Sequence, residues 1–163
     1  MSVYKQFFTT VALLCGVVTN APAAGLFPHG CEVSGFGFQD QFVTFNDTGQ
    51  QMYFLVENRS TLNIELERIS TTPTFMTPKL QTKISAGEWA AFASDVDNTH
   101  FKCGIRNEEN NVEQVRCSEV LSICQYPRVR FALSNMGTYW ISTNKPQAQI
   151  IKESTNKGIY LKW

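Results

Sequence analysis

Five cysteines and two histidines hold most of the reactive potential of this 163-residue chain. Cys15 lies inside an apolar run near the start, which leaves Cys31, Cys103, Cys117 and Cys124 for the remainder. An even set at long, irregular spacings, with no C-x-x-C pair and no paired histidine, reads as disulfides rather than a zinc site. Four cysteines allow three pairings. The stretch from Cys103 to Cys117 is symmetric about a polar tip, Asn107 to Asn111, as in a hairpin whose arms carry facing cysteines. A bridge closing that loop would contribute about 3 kcal/mol in the chain-entropy model. This favours Cys103–Cys117 with Cys31–Cys124; Cys117–Cys124 is the competitor.

Neither histidine sits in a catalytic frame. His29 lies between Pro28 and Gly30, and His100 follows the turn Asp95–Asn98. A Ser-His-Asp set around His100, oriented by Asp95 or Asp97, defines one alternative function, a small secreted hydrolase. No G-x-S-x-G, H-E-x-x-H or S-x-x-K motif frames a nucleophile or metal, so the expectation is no catalytic set, no metal, no cofactor and no enzyme. Asp95-Val96-Asp97-Asn98 is rich in oxygen ligands but lacks the glycine and distal glutamate of a calcium loop. Trp89, Tyr139 and Trp140 are the candidate binding aromatics, able to stack on sugars or anchor a protein, although filling a core is the ordinary use of such rings. Tyr126-Pro127-Arg128-Val129-Arg130 sets guanidinium groups beside an aromatic and is a further candidate contact segment.

Compartment is written in residues 1–24. Lys5 precedes an apolar run from Phe7 to Val18, and Ala21, Ala23 and Ala24 then supply small residues for cleavage. The run is too short to cross a bilayer, which needs roughly twenty residues. Leu14, just before Cys15, argues against a lipoprotein signal. The expectation is an exported protein, periplasmic or secreted, with 1–24 a signal peptide, 25–163 one disulfide-linked β-rich domain and no membrane insertion after signal removal. With 14 Lys+Arg against 14 Asp+Glu there is no overall basic surplus for nucleic acid.

The elements that must position these residues read as strands. Gly25 to Gly37 is a glycine-rich arm pinned by Cys31. Gln41–Phe45 is a first strand, and Gln50–Glu57, apolar on both faces, belongs inside a sandwich. Thr61–Ile69 alternates Leu62, Ile64 and Leu66 with Asn63, Glu65 and Glu67, the period of a half-exposed strand. Those two strands are expected to form a hairpin through Asn58-Arg59-Ser60. Leu80–Ile84 and Glu88–Ser94 flank a bend, Phe101–Arg106 and Val112–Ser118 are the cysteine arms, and Val120–Cys124 and Arg128–Phe131 follow. Thr143-Asn144-Lys145-Pro146 starts a helix that Gly158 ends, and Ile159–Trp163 is a final strand. The predicted fold is all-β, a single sandwich of roughly seven to nine strands with a short C-terminal helix.

Several segments in order resemble one family. They are Tyr53–Ser60, Ser85-Ala86-Gly87 leading to Trp89–Ala93, Phe101-Lys102-Cys103, Val115-Arg116-Cys117, Val120–Pro127 and Gly137–Ser142. The chain resembles the small exported "enhanced entry" proteins of Legionella-type intracellular bacteria, specifically their B member, from about Gln50 to Ser142. The resemblance implies a protein tied to infection of host cells. It supplies no catalytic residues, and it matches Cys103, Cys117 and Cys124 to cysteine positions. The expected function is an exported, non-enzymatic module binding an unknown protein or glycan of the host or envelope, with a periplasmic assembly factor as the third reading. In a eukaryotic source, Asn46 and Asn58 would head glycosylation sequons.

Overall fold

The computed structural model describes residues 27–46, 51–69, 80–95, 98–107, 109–133 and 137–162. The expected signal peptide, the expected Thr71–Pro78 loop and Asp97 lie outside them. The fold is all-β with two helices, one of them a short C-terminal helix. Its strands are β1 (Phe36–Gln39), β2 (Phe42–Phe45), β3 (Met52–Asn58), β4 (Ile64–Ile69), β5 (Gln81–Ile84), β6 (Trp89–Ser94), β7 (Thr99–Arg106) and β8 (Val112–Val115). After helix α1 (Cys117–Val120) come β9 (Leu121–Tyr126), β10 (Val129–Phe131), β11 (Tyr139–Lys145), helix α2 (Gln147–Asn156) and β12 (Ile159–Leu161).

These strands make a six-stranded sheet, β1-β2-β7-β4-β5 with β8 also on β7, and a four-stranded sheet, β11-β6-β3-β9. β10 and β12 form a separate two-stranded ribbon. Phe45, Phe54, Phe92 and Phe101 meet between the two sheets, with Phe45 and Phe54 centroids 4.7 Å apart. The other face of the four-stranded sheet is also covered. Tyr53, Leu55, Ala91, Ala93 and Cys124 pack there against Phe131, Ile141, Ile150 and Ile159, drawn from the ribbon, β11 and α2. Strand β6, Trp-Ala-Ala-Phe-Ala-Ser, is therefore buried throughout, and its small Ala91 and Ala93 leave room for α2 to lie close.

The expected β3–β4 hairpin does not form. β3 pairs with β6 and β9, whereas β4 pairs with β5 and β7, so the chain crosses between sheets at Asn58. Period-two alternation tells which faces are apolar, not whether two strands lie side by side or face to face. Here Phe54 and Val56 from one sheet and Ile64 and Leu66 from the other belong to the same core cluster. Leu62, assigned to that apolar face, lies before β4 and is exposed.

The Asn58 side chain builds the corner. Its amide nitrogen donates to Leu62 O at 2.7 Å and Ile84 O at 2.9 Å, and its oxygen accepts from Ser60 N and Ser60 Oγ. Asn58 is 0% exposed, so it is a structural residue and no glycan acceptor. Pro146 precedes α2 as expected, but Asn144 does not cap it. Asn144 Oδ1 accepts from Ser85 N at 2.7 Å instead, tying β11 to the bend between β5 and β6. Gly158, at φ +83°, ends the helix in a conformation that side-chain-bearing residues avoid.

Candidate functional site

The outward face of the six-stranded sheet is built by the same alternation that buries its other side. Leu66 and Cys103 point inward, which turns Glu65, Glu67, Lys102, Gly104 and Arg106 outward. Register places Glu67 opposite Lys102 and Glu65 opposite Gly104, one step from Arg106. Lys102 Nζ meets Glu67 Oε2 at 2.9 Å. Arg106 Nε and Nη2 take the two Glu65 oxygens at 2.6 and 2.8 Å, a forked guanidinium–carboxylate pair. Hydrogen bonding from Arg106 holds the Glu65 carboxyl below the usual glutamate range. Arg106 also donates to Asn110 O and Oδ1, which fixes the guanidinium plane against the hairpin tip.

Between these pairs lies a shallow depression of about 250 Å³, rimmed also by Gln81, Val112 and Gln114 and floored by Gly104. The floor depends on that glycine, since a Cβ there would sit 2.4 Å from Val112 Cγ1. The arrangement can recognise a polar ligand through preset carboxylate, amide and cationic groups. Cys103, which also borders it, is disulfide-bonded and offers no free thiol.

Both disulfides join the cysteines as first paired above. Cys103 and Cys117 have Cα atoms 5.4 Å apart and close the β7–β8 hairpin, in which Cys103 faces Val115. Cys31 and Cys124 have Cα atoms 5.5 Å apart and fasten the N-terminal arm to the edge of β9. Beside that bridge, Glu32 and Gln125 exchange two backbone hydrogen bonds of 2.8 Å. The arm is thus more ordered than a glycine-rich loop suggests, and its Phe36–Gln39 portion is β1.

The predicted binding aromatics are not gathered on a surface. Trp89 is 7% exposed, packs in the layer under α2 and meets Phe27 edge-on at 6.2 Å. Trp140 lies against Phe92 and Phe101 in the other core, at 5.0 and 5.3 Å. Tyr139 is half-buried, and burial, then the nearby Asp95 charge, push its phenol upward in pKa. Trp89 and Tyr139 thus lie on one face of the four-stranded sheet and Trp140 on the other, so the three do not form one continuous stacking surface.

His100 stands on β7, half-buried, rather than on a turn edge. Its Nδ1 lies 2.8 Å from Thr44 Oγ1 on the neighbouring strand. Asp95 follows β6 of the other sheet, and its Oδ1 accepts from Gly137 N at 2.8 Å. Among the described residues, no three His, Cys, Asp or Glu side chains gather as a metal site, and no helix is long and apolar enough to cross a membrane.

Comparison with family models, with curated proteins and with solved structures finds no match for this chain. Sequence reasoning passed over Lys102, Gly104 and Arg106. Their outward positions follow from the alternation around Cys103, but their partners Glu65 and Glu67 are about forty residues away, and only the β4–β7 register joins them.

Proposed function

We propose that this chain is an exported, non-enzymatic binding module, working in the periplasm or outside the cell, that contacts a host or envelope component. The observation that carries this reading is the outward face of the six-stranded sheet: a glycine-floored depression between two preset ion pairs. Two disulfides fit an oxidising compartment. The likeness to the "enhanced entry" B proteins supports a place in infection of host cells. Support for binding over hydrolysis comes from His100, whose Nδ1 is engaged by a threonine hydroxyl rather than an acid.

Glycan arrays and pull-downs from host membranes and bacterial envelopes test the reading. Wild-type protein is expected to retain a ligand that Lys102→Glu and Arg106→Glu variants lose. No ligand in either screen, or equal retention by the variants, refutes it. Specific retention of envelope components alone would select the assembly-factor form of the same proposal.

A further inference from the structure

The chain is neutral as a whole but divided by charge along its length. Residues 127–163 contain six Lys or Arg and one acid, while residues 1–126 contain eight Lys or Arg and thirteen acids. That single acid, Glu153, is already bonded by Lys145 and Ser142. The basic segment supplies β11 of the four-stranded sheet and, through α2 and the β10–β12 ribbon, part of the layer over it, and the ribbon displays part of the charge on one plane. Register pairs Val129 with Leu161, Arg130 with Tyr160 and Phe131 with Ile159. Phe131 and Ile159 are buried in the second core, with Val129 and Leu161 packed against it. Alternation then turns Arg128, Arg130, Tyr160 and Lys162 outward, and all four are exposed. Lys162 N donates to Arg128 O at 2.9 Å, which carries the pairing one step beyond the strands.

We propose that this ribbon face is a docking surface for an anionic polysaccharide, one bearing carboxylate or sulfate groups. Among the described residues no carboxylate pairs with Arg128, Arg130 or Lys162. Their Cα positions follow the cross-strand and same-face intervals of a β-ribbon, about 5–7 Å. A guanidinium takes a carboxylate or sulfate through two parallel hydrogen bonds, so a row of them suits a chain of repeated anions. The Arg130 guanidinium carbon lies 5.3 Å from the Tyr160 ring centroid, which presets the arginine and leaves an aromatic beside it for a sugar face. A lipid surface fits less well. Three or four cations hold a peripheral protein weakly without an apolar insertion, and this row has only the stacked tyrosine.

The inference is independent of the depression over Gly104, and its experiment reads a different surface. Heparin is the probe, measured by titration calorimetry and by the salt needed to elute the intact, oxidised protein from a heparin column. Arg128→Gln/Arg130→Gln/Lys162→Gln is expected to weaken binding by about tenfold or more, with an unchanged circular-dichroism spectrum. Arg59→Gln/Lys83→Gln/Arg116→Gln removes the same charge elsewhere and is expected to bind as wild type does. Equal loss in both variants would mean an unspecific charge effect. That result, absence of heparin binding at low salt, or binding to phosphatidylserine vesicles with none to heparin, overturns the proposal.

Discussion

Replacing Asn58 by alanine tests the argument that one buried amide holds the two sheets in register. The backbone bonds from Asn58 N to Glu88 O and from Gly87 N to Asn58 O survive the change. Four side-chain bonds do not: those to Leu62 O and Ile84 O, and those from Ser60 N and Ser60 Oγ. At about 1 kcal/mol net for each bond, less what water recovers around Ser60, the loss is about 3–4 kcal/mol. Ile84 O is the costliest orphan, since Ile84 is 0% exposed. Against a total stability of about 5–15 kcal/mol this is a large share, equivalent to about 10–15 °C in Tm. Urea unfolding with disulfides intact, followed by tryptophan fluorescence, would show a lower midpoint at unchanged slope. Asn58→Asp separates the donors from the acceptor. It keeps an oxygen for Ser60 but sets a buried carboxylate against two carbonyls. Its folded pKa is then raised above the unfolded value of about 3.9, so its penalty is full above the raised pKa and shrinks as pH falls through it toward the unfolded value. A loss within about 1 kcal/mol for Asn58→Ala, no more than a single net hydrogen bond, would refute the corner argument.

Burial raises the phenol of Tyr53 well above the usual tyrosine range, and that of Tyr126 in the same direction. Their contribution is therefore complete below the unfolded pKa of about 10 and is lost as pH rises beyond it, so absorbance titration should show these phenols ionising together with unfolding. Tyr53→Phe removes the 2.6 Å contact with Ser154 Oγ that ties α2 to β3 and should cost about 1–2 kcal/mol by urea denaturation. Removing the Cys31–Cys124 bridge as a double alanine variant opens a loop of sequence separation 93 and should cost about 5 kcal/mol, against about 3 kcal/mol for Cys103–Cys117. Thiol titration of the native oxidised protein is expected to find no free sulfhydryl among these four; any would contradict the pairing. Gly104→Val should fill the depression and weaken ligand retention in the screens above, and also lower the unfolding midpoint, because an added Cβ meets Val112 Cγ1 at 2.4 Å and the Glu113 backbone oxygen at 3.3 Å; an unchanged circular-dichroism spectrum at the screening temperature shows that the lost retention is not unfolding.

Local signals were legible where the physics is local. The polar tip between Cys103 and Cys117 announces a hairpin, and the structure closes it with a disulfide. Pro146 and Gly158 bracket α2 because one lacks an amide hydrogen the first turn does not need and the other tolerates φ +83°. Both faces of β3 are apolar because it lies at the centre of a sheet covered on both sides. Nothing in Asn58-Arg59-Ser60 distinguishes a hairpin turn from a corner between sheets. That choice rests on Ile84 O, a partner twenty-six residues later.

By itself, then, the order of residues determined the all-β class, the faces of β3 and the limits of the C-terminal helix, which depend on neighbours a few positions apart, while the even cysteine count gave the expectation of two disulfides. Tertiary structure decided which strands stack and which pair, that Trp89 and Trp140 are consumed on opposite faces of one sheet, and that Glu65 and Glu67 meet Arg106 and Lys102 around a glycine floor. It also decided that Arg128, Arg130 and Lys162 share one plane, because β10 pairs with a strand about thirty residues away. Alternation specifies a side of the sheet, while register specifies a neighbour, and register is set by the packing of the whole core.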